Sequence, residues 1–335
     1  MPTLFEGLHM SKLVTIYGGS GFVGRYIARR MAKAGWRVRV AVRRPNEALF
    51  VRTYGVVGQV EPVLCNIRDD ASVALAMKGA DAVVNCVGVL AEAGKNTFDS
   101  VQSEGSERIA RLARAAGITR MVHVSAIGAD MESNSNYSRT KAEGEAGVLK
   151  HQPDAMIVRP SIVFGPEDQF FNRFAGMARM SPAVPVISGD TLFQPVYVDD
   201  VAQAAVMGLT GSAKGIYELG GPVVISFRDM MKLMLEVIRR RRLVLGVPIP
   251  LAKLMAFGLD LVQKLSFGLI KNGMVTTDQL KNLRRDNVVG AGAKGFSDLG
   301  IEPVPMVAVL PEYLWRFRPS GQYDAIKESA KNLRG

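Results

Sequence analysis

A chain of 335 residues, 48% of them hydrophobic, is long enough for one large α/β domain with an added lobe or for two domains. No stretch of about eighteen residues is free of charge, so no membrane-spanning helix is predicted, and residues 1–11 lack the features of a signal or transit peptide. The net charge of +11 suits an anionic membrane surface or an acidic partner. It does not indicate nucleic acid, because the densest basic run, 239–242, has no interleaved aromatic residues.

Cysteine and histidine are scarce, which argues against a disulfide framework and against a metal site. Cys65 and Cys86 lie in separate apolar runs, as is typical of buried thiols in a reducing compartment. His9, His123 and His151 are neither clustered nor near the cysteines in sequence, so no zinc site is expected. His123 lies inside a strand-like run and is predicted to be a hydrogen-bonded core residue rather than a catalytic one.

Strand-like apolar runs alternate with helix-length segments through the first half of the chain. Strands are predicted at 13–17, 36–42, 60–65, 81–87, 120–125 and 155–159, with helices near 22–34, 70–78, 97–116 and 137–150. This alternation predicts an α/β fold with a doubly wound, Rossmann-type parallel sheet, in which ligands bind at the carboxyl ends of the strands. Prolines interrupt the pattern after residue 160. We therefore predict an N-terminal extension (1–11), a nucleotide-binding domain with late strands (12–225) and a smaller C-terminal lobe (226–335).

A glycine-rich turn joins the first predicted strand to the first predicted helix. Gly18, Gly21 and Gly24 have the G-x-x-G-x-x-G spacing of the short-chain dehydrogenase/reductase superfamily. A strand that turns on glycines into a helix leaves unpaired backbone N–H groups directed at one point, where a pyrophosphate can bind. The residues expected to line this dinucleotide site are Gly18, Ser20, Gly21, Phe22, Val23, Gly24 and Arg25.

Basic residues occupy the position that selects between NAD and NADP. In NAD-preferring sites this position carries an acidic residue that binds the ribose 2′-hydroxyl. The second strand ends in Arg43 and Arg44, about twenty residues after the glycine turn, at the place of the Asp or Glu of NAD-preferring sites. Arg43, together with Arg44 and Arg25, could pair with a 2′-phosphate, which favours NADPH over NADH. The alternative is that these arginines are solvated loop charges.

Two further loops follow predicted strands at the same edge of the sheet. Asn66 and Ile67 come after the third strand, where the Asn66 amide could hydrogen-bond the adenine edge. Cys86, Val87 and Gly88 come after the fourth strand, and Gly88 would let the backbone approach the cofactor closely.

Tyr137 and Lys141 lie four residues apart on one predicted helix, and Ser125 closes the strand before it. Near a bound ribose, Lys141 would lower the pKa of the Tyr137 phenol, which could then exchange a proton with a carbonyl or hydroxyl during hydride transfer. Ser125 could hydrogen-bond the same oxygen. A Tyr-x-x-x-Lys pair by itself is common on exposed helices, so the interpretation depends on the glycine turn and the serine together.

With these residues, the chain resembles an atypical, extended short-chain dehydrogenase/reductase over about residues 12–225. The further matches are R-P-S-I-V-F-G-P at 159–166, Q-P-V-Y-V-D-D-V-A at 194–202 and Y-E-L-G-G-P at 217–222. More narrowly, it is similar to the NADPH-binding accessory subunits of respiratory complex I, the NADH:ubiquinone oxidoreductase. The segments that carry this similarity are F-G-P-E-D-Q-F-F-N-R-F-A at 164–175, T-T-D-Q-L at 276–280, D-N-V-V at 286–289 and D-L-G-I-E-P at 298–303.

This resemblance implies a tightly held NADPH with a structural or assembly role and no established substrate turnover. The partners would be other complex I subunits near the quinone site, with membrane-surface lipid as a further contact and no nucleic acid. The location would be peripheral, on the cytoplasmic face of a bacterial inner membrane or the matrix face of a mitochondrial one. The resemblance also adds Pro160 and Ile162 to the residues expected to contact the cofactor.

Two departures from the family pattern bear on catalysis. Gln102 stands where extended members carry the Asn that helps orient the catalytic Lys through a water, and Asn66 replaces the common Asp at the adenine position. Loss of one relay group with retention of the phosphate cradle is typical of a non-catalytic member, in which Ser125, Tyr137 and Lys141 are vestigial. Because all three remain, a free-standing NADP(H)-dependent reductase or epimerase is the alternative, and a redox-sensing regulator is a third.

The C-terminal lobe offers a candidate attachment surface. In 251–271 the charged residues return to one helix face and the rest of the surface is apolar, and four arginines, 239–242, lie just upstream. Three interpretations of such a helix are open: it is buried in the core of its own lobe, it packs on a partner subunit, or it lies in a membrane interface. The arginines are a solvated helix end or attract anionic headgroups or an acidic subunit. We predict that residues 239–287 form the attachment surface.

Overall fold

A computed structural model describes residues 11–250 and 277–323 of the chain. Its centre is a seven-stranded, all-parallel sheet. The strands are β1 (Leu13–Tyr17), β2 (Arg37–Val42), β3 (Val60–Leu64), β4 (Ala82–Asn85), β5 (Arg120–Val124), β6 (Met156–Pro160) and β11 (Gly215–Leu219), in the order β11-β6-β5-β4-β1-β2-β3. This confirms the predicted doubly wound, Rossmann-type α/β fold.

The helices that cover the sheet alternate with its strands. They are α1 (Phe22–Lys33), α2 (Asp70–Met77), α3 (Glu104–Ala115), α4 (Asn136–His151) and α6 (Val198–Thr210). β1 and β4 are buried at every position, which explains their continuous apolar runs. The predicted helix 97–116 is wrong in detail, because a π-helical turn, Asp99–Ser103, precedes α3.

A second group of elements, most of them short, occurs in the chain after β6. It comprises β7 (Val163–Phe164), α5 (Phe171–Met180), β8 (Ala183–Ile187), β9 (Leu192–Phe193), β10 (Val196–Tyr197), β12 (Ile225–Ser226), α7 (Phe227–Val237), β13 (Leu243–Val247), α8 (Thr277–Asn282) and α9 (Met306–Leu314). Three small two-stranded sheets occur among these elements, pairing β7 with β10, β9 with β12 and β8 with β13.

Two of the hydrophobic cores are built from interleaved parts of the chain. The second core joins Phe164 and Phe171 to Met230 and Leu310, so it draws on residues from both sides of position 225. Conversely, Ile301 packs into the main core under the sheet. The division into 12–225 and 226–335 stays a prediction.

The arginine run 239–242 is tied partly to the lobe itself. Arg240 Nε donates to the carbonyl of Phe317 at 2.8 Å, and Arg242 Nε donates to the carbonyl of Ala178 at the same distance. The helix predicted in 251–271 lies outside the described residues. Within the described ranges, no helix is long and apolar enough to cross a membrane.

Candidate functional site

The glycine turn between β1 and α1 requires glycine at two positions. Gly18 has φ +74°, and a Cβ there would lie 3.2 Å from the backbone of Cys86 at the end of β4. A Cβ on Gly24 would lie 2.4 Å from the Gly18 carbonyl oxygen, closer than real contacts allow. The turn is therefore packed tightly between α1 and the neighbouring strand.

The N-terminus of α1 has no side-chain cap. Gly21 is the N-cap residue, and the first turn, which contains Phe22 and Val23, has no acidic residue. The first N–H groups of a helix have no intrahelical acceptor, and the helix dipole favours an anion at this end. The predicted pyrophosphate thus fits the residues that are present. Ser20 lies in the turn itself, and its carbonyl accepts a hydrogen bond from Arg25 at 3.0 Å.

The three candidate arginines differ in what they already contact. Arg25 donates to the carbonyls of Ser20 and Gly21, lies 3.5 Å from a Glu167 carboxylate oxygen and stacks over the Phe50 ring. The Arg44 guanidinium pairs with the exposed Glu47 at 2.9 Å.

Arg43 stands apart from these two. Its side chain is exposed, and nothing in residues 11–250 or 277–323 forms a hydrogen bond or ion pair with it. Of the three arginines, Arg43 has the guanidinium most available for a 2′-phosphate.

The loops after β3 and β4 lie at the same edge of the sheet as the glycine turn. Asn66 is exposed, and its side-chain oxygen accepts from the backbone N–H of Arg68 at 3.2 Å. Its amide nitrogen is thus the group left for an adenine ring. Ile67 is buried, and its side chain packs directly against Gly105 on α3. Its main role in the structure is therefore that of a core residue.

The segment after β4 runs beside the glycine turn. Cys86 donates its backbone N–H to Tyr17 at 2.9 Å, and its side chain is half-buried rather than fully buried as expected. Burial raises the pKa of the Cys86 thiol to about 12, so it is not a thiolate at neutral pH. Val87 is half-buried and donates its N–H to Asn85. A Cβ on Gly88 would lie 3.3 Å from Lys141 Nζ, so this glycine faces the ammonium group.

Lys141 and Tyr137 occupy successive turns of α4. Lys141 is buried and donates from Nζ to the Val124 carbonyl at 3.3 Å. Burial lowers the pKa of Lys141 to about 8, against the opposing effect of the nearby Glu145 carboxylate. The Tyr137 ring is half-buried and meets Phe98 edge-on at 5.9 Å. Burial raises the pKa of Tyr137 to about 12 without a ligand, and the lowering expected beside a bound ribose stays a prediction.

Ser125, Pro160 and Ile162 complete the predicted set at the carboxyl edge. Ser125 is buried, and its Oγ has no hydrogen-bond partner among the residues that the structure describes. Pro160 ends β6, and its carbonyl accepts from Ile127 at 3.0 Å. Ile162 is half-buried and packs against the second core. An orphaned buried hydroxyl beside the Tyr–Lys helix suits a ligand oxygen better than a structural role.

Two buried polar residues lie behind the site. Gln102 donates from Nε2 to the Val89 carbonyl at 2.7 Å, while its Oε1 has no partner in the described part of the chain. His123 is buried as predicted, and its Nδ1 lies 3.1 Å from Asn85 Nδ2. Its Nε2 has no described partner, so the predicted hydrogen-bonded core histidine is found with one of its two ring nitrogens paired. Burial lowers the pKa of His123 to about 3, which keeps the ring neutral.

One residue of this region was not predicted to act here. Asp278, on α8, reaches the N-terminus of α4, where its carboxylate accepts hydrogen bonds from the Ser135 hydroxyl and from the backbone N–H groups of Asn136 and Tyr137. The signal in the sequence was the motif that contains Asp278, but nothing local shows which helix it caps.

The arrangement is that of a dinucleotide site: a glycine turn, an open helix N-terminus and a Tyr–Lys pair at one sheet edge. The sequence profile of the NAD dependent epimerase/dehydratase family matches residues 14–220, which is more than half of the chain. The chain belongs to this family. Solved structures share its fold: the crystal structure of gox2253 has a TM-score of 0.69 at 20% identity over 93% of this chain and 99% of that one.

A second solved structure has a similar fold. The Bordetella bronchiseptica enzyme WbmH, crystallised in complex with NAD+, has a TM-score of 0.66 at 16% identity and covers 93% of this chain and 99% of its own. At these identities the likeness shows the fold alone.

Sequence relatives extend the similarity into the lobe. The chain is 34% identical over 316 residues, 92% of its length and 79% of the relative's, to the mitochondrial NADH dehydrogenase [ubiquinone] 1 alpha subcomplex subunit 9 of Arabidopsis thaliana. It is 29% identical over 96% of its length and 83% of the relative's to the mitochondrial NADH-ubiquinone oxidoreductase 40 kDa subunit of Neurospora crassa. A Caulobacter vibrioides ceramide reductase is 33% identical over a shorter part, 62% of this chain and 64% of that protein.

Proposed function

We propose that this chain is an accessory subunit of NADH:ubiquinone oxidoreductase, respiratory complex I, in which it holds NADPH as a structural cofactor. The observation that carries the proposal is that similarity to named complex I subunits runs through the C-terminal lobe, at 92% and 96% of the chain. The similarity to the ceramide reductase covers only 62%. A C-terminal lobe in common with complex I subunits favours attachment of this chain to the same kind of complex.

The nucleotide site supports the NADPH part of the proposal. The open N-terminus of α1 would bind the pyrophosphate, and the unpaired Arg43 guanidinium would bind the 2′-phosphate. Lys141 carries a charge below pH 8 and would donate to the ribose beside the nicotinamide. When bound, the nicotinamide supplies hydride chemistry, which the proposed role does not use.

The state of Tyr137 supports a role without turnover. A phenol with a pKa of about 12 gives up its proton poorly near neutral pH, where an effective general acid or base has a pKa close to the working pH. Gln102 stands at the position where extended members of the resembled family carry the Asn that helps to orient the lysine. Its side-chain amide nitrogen donates to the Val89 carbonyl instead. Both features favour binding over proton transfer.

A free-standing reductase is the second candidate, and one observation favours it. Ser125, Tyr137 and Lys141 are all kept, and the Ser125 hydroxyl is left without a described partner, as it would be if it awaited a substrate oxygen. The candidate would use NADP(H) to reduce a small carbonyl compound or to epimerise a nucleotide-linked sugar.

We propose that attachment lies on the lobe, where the peripheral arm of the complex meets the membrane near the quinone site. Met180, Leu243 and Leu245 are 85%, 68% and 51% exposed, and the exposed Arg241 adds positive charge beside them. Apolar side chains next to arginines suit an acidic partner subunit or anionic headgroups. The location would then be peripheral, on the cytoplasmic face in a bacterium or the matrix face in a mitochondrion.

Isolation of the tagged chain from its own membranes tests the proposal. We expect NADH:ubiquinone oxidoreductase activity to co-purify with it, and chromatography of the heat-denatured preparation to release NADPH in about one-to-one ratio. A tagged variant carrying Leu243→Glu and Leu245→Glu should bind NADPH but lose the complex. Recovery of a free monomer or dimer that oxidises NADPH with a carbonyl substrate would favour the reductase instead.

A further inference from the structure

We propose that Asp278 is a positioning residue for the nucleotide: from α8 in the C-terminal part of the chain it caps α4 and so fixes Tyr137 and Lys141. The inference rests on the proposed nucleotide-holding function and adds to it a residue outside the nucleotide-binding segment. Asp278 touches neither the glycine turn nor the arginines.

The contacts of Asp278 are those of a helix cap supplied from a distant part of the chain. Its Oδ2 accepts from the Ser135 hydroxyl at 2.7 Å and from the Tyr137 N–H at 3.1 Å, and its Oδ1 accepts from the Asn136 N–H at 3.0 Å. Ser135, the local N-cap, accepts the Ser138 N–H at 3.4 Å. Two of the otherwise unpaired N–H groups of α4 thus depend on Asp278, and its charge complements the positive end of the helix dipole.

The capped turn carries Tyr137, one of the two α4 side chains proposed to face the cofactor. Asp278 binds the backbone of Tyr137 itself, and Lys141 lies one turn further along the same helix. The Tyr137 ring is seated against Phe98, and Lys141 is tied to the Val124 carbonyl. Loosening the first turn would move the ring and the ammonium group together, while the Arg43 side of the site would stay in place.

Other contacts hold α8 against the same loop. Lys281 Nζ donates to the Asn134 carbonyl at 2.8 Å, and Ser138 Oγ donates to Asn282 at 3.1 Å. Arg285 pairs with Asp130 at 2.9 Å. Removing the Asp278 carboxylate therefore takes away the cap without removing every contact that docks α8.

Two ligands of different length distinguish an effect of Asp278 on the position of Tyr137 and Lys141 from an effect on the stability of the whole protein. NADPH spans the whole site, whereas adenosine 2′,5′-bisphosphate ends before the nicotinamide ribose. For Asp278→Ala in the full-length protein we expect the Kd for NADPH to rise about five- to tenfold. This is the size of change that loss of a helix N-cap typically causes in an equilibrium that depends on the helix. The Kd for adenosine 2′,5′-bisphosphate should stay within twofold, and the rise in nicotinamide fluorescence on binding should shrink.

Arg285→Ala is the matched control, because it removes an exposed docking contact and leaves the cap intact; it should bind both ligands like the wild type. Asp278→Asn keeps one acceptor oxygen and should fall between wild type and Asp278→Ala. If Asp278→Ala does not fold, this variant decides the question by the same ratio of the two Kd values.

The proposal is overturned if both ligands weaken by the same factor or if NADPH binding is unchanged. If wild-type protein binds neither ligand, the nucleotide-holding function fails first.

Discussion

Burial governs the protonation of single side chains at the candidate site. Near pH 7 the Lys141 ammonium is charged, with a pKa of about 8, whereas the His123 ring, with a pKa of about 3, is neutral. Asn85 accepts from the Val87 N–H with its side-chain oxygen, so its amide nitrogen must donate to His123 Nδ1. The proton of the neutral ring is thereby placed on Nε2, a buried donor that a water could accept from.

We predict that NADPH binding weakens as the pH rises through about 8. A ligand that accepts from the Lys141 ammonium binds the protonated form, and burial lowers the pKa of that group from 10.5 to about 8. The Kd should change little between about pH 7 and 7.5, where the 2′-phosphate is already doubly charged, and rise up to about tenfold per unit above pH 8. Titration by nicotinamide fluorescence checks this, with Lys141→Met as the control that should show weaker binding and no step.

We also predict that Arg43→Asp reverses the nucleotide preference. The Arg43 guanidinium has no described partner to lose, so the change acts on the ligand: one charged hydrogen bond is worth about 1.5–3 kcal/mol, or roughly ten- to a hundredfold in the Kd for NADPH. The Kd for NADH should change little. Arg44→Asp, next in the chain but paired with Glu47, is the comparison and should cost much less. Equal affinity of the wild type for the two nucleotides, by calorimetry, would contradict the assignment.

At the scale of secondary-structure elements, the close approach of α1 to the glycine turn determines which glycines tolerate a larger side chain. Gly24→Ala should lower the free energy of unfolding by about 1–3 kcal/mol, because its Cβ would lie 2.4 Å from the Gly18 carbonyl. Gly176→Ala in α5, where the nearest atom lies 4.0 Å away, should raise that free energy by about 0.5–1 kcal/mol. Urea unfolding of both variants checks the opposite signs; a neutral Gly24→Ala would mean that α1 shifts freely.

The sequence predicted the elements near the glycine turn better than those far from it. The alternation up to β6 needs only local periodicity, so β1 to β6 were placed to within two residues. β11 was missed among the predicted strands, because it lies after residue 160, where prolines interrupt the alternation. The Asp278 cap spans more than 140 residues, and the contacts of Arg25 with Glu167 span a similar distance; neither has a local signature. The protonation of Tyr137 needed its burial, which motif spacing does not reveal.

The whole molecule is held together by segments that cross between its parts. Lys294 accepts from the N–H of Glu218 on β11 at 2.8 Å, and Gly290 donates to the Glu218 carboxylate, so residues 290–294 line the outer edge of the sheet. Covering an edge strand prevents it from pairing with other chains. Ile301 then enters the main core.

We predict that truncation after residue 235 yields no nucleotide-binding protein. Such a chain would expose the β11 edge and lose Ile301 and Asp278 at once. Size-exclusion chromatography should show aggregates, and no NADPH fluorescence enhancement should remain. A monodisperse, NADPH-binding fragment 1–235 would show that the sheet folds without its late cover.

The same interleaving constrains how the protein is made. Six sheet strands leave the ribosome within the first 160 residues, but β11 is completed at Leu219, and Ile301 follows about 80 residues later. During synthesis the sheet therefore waits with an open edge and an incomplete core, the kind of intermediate that recruits chaperones and aggregates when it is overproduced. Because the main core is complete only once the segment around Ile301 has been made, incorporation into a larger assembly would follow the synthesis of that segment.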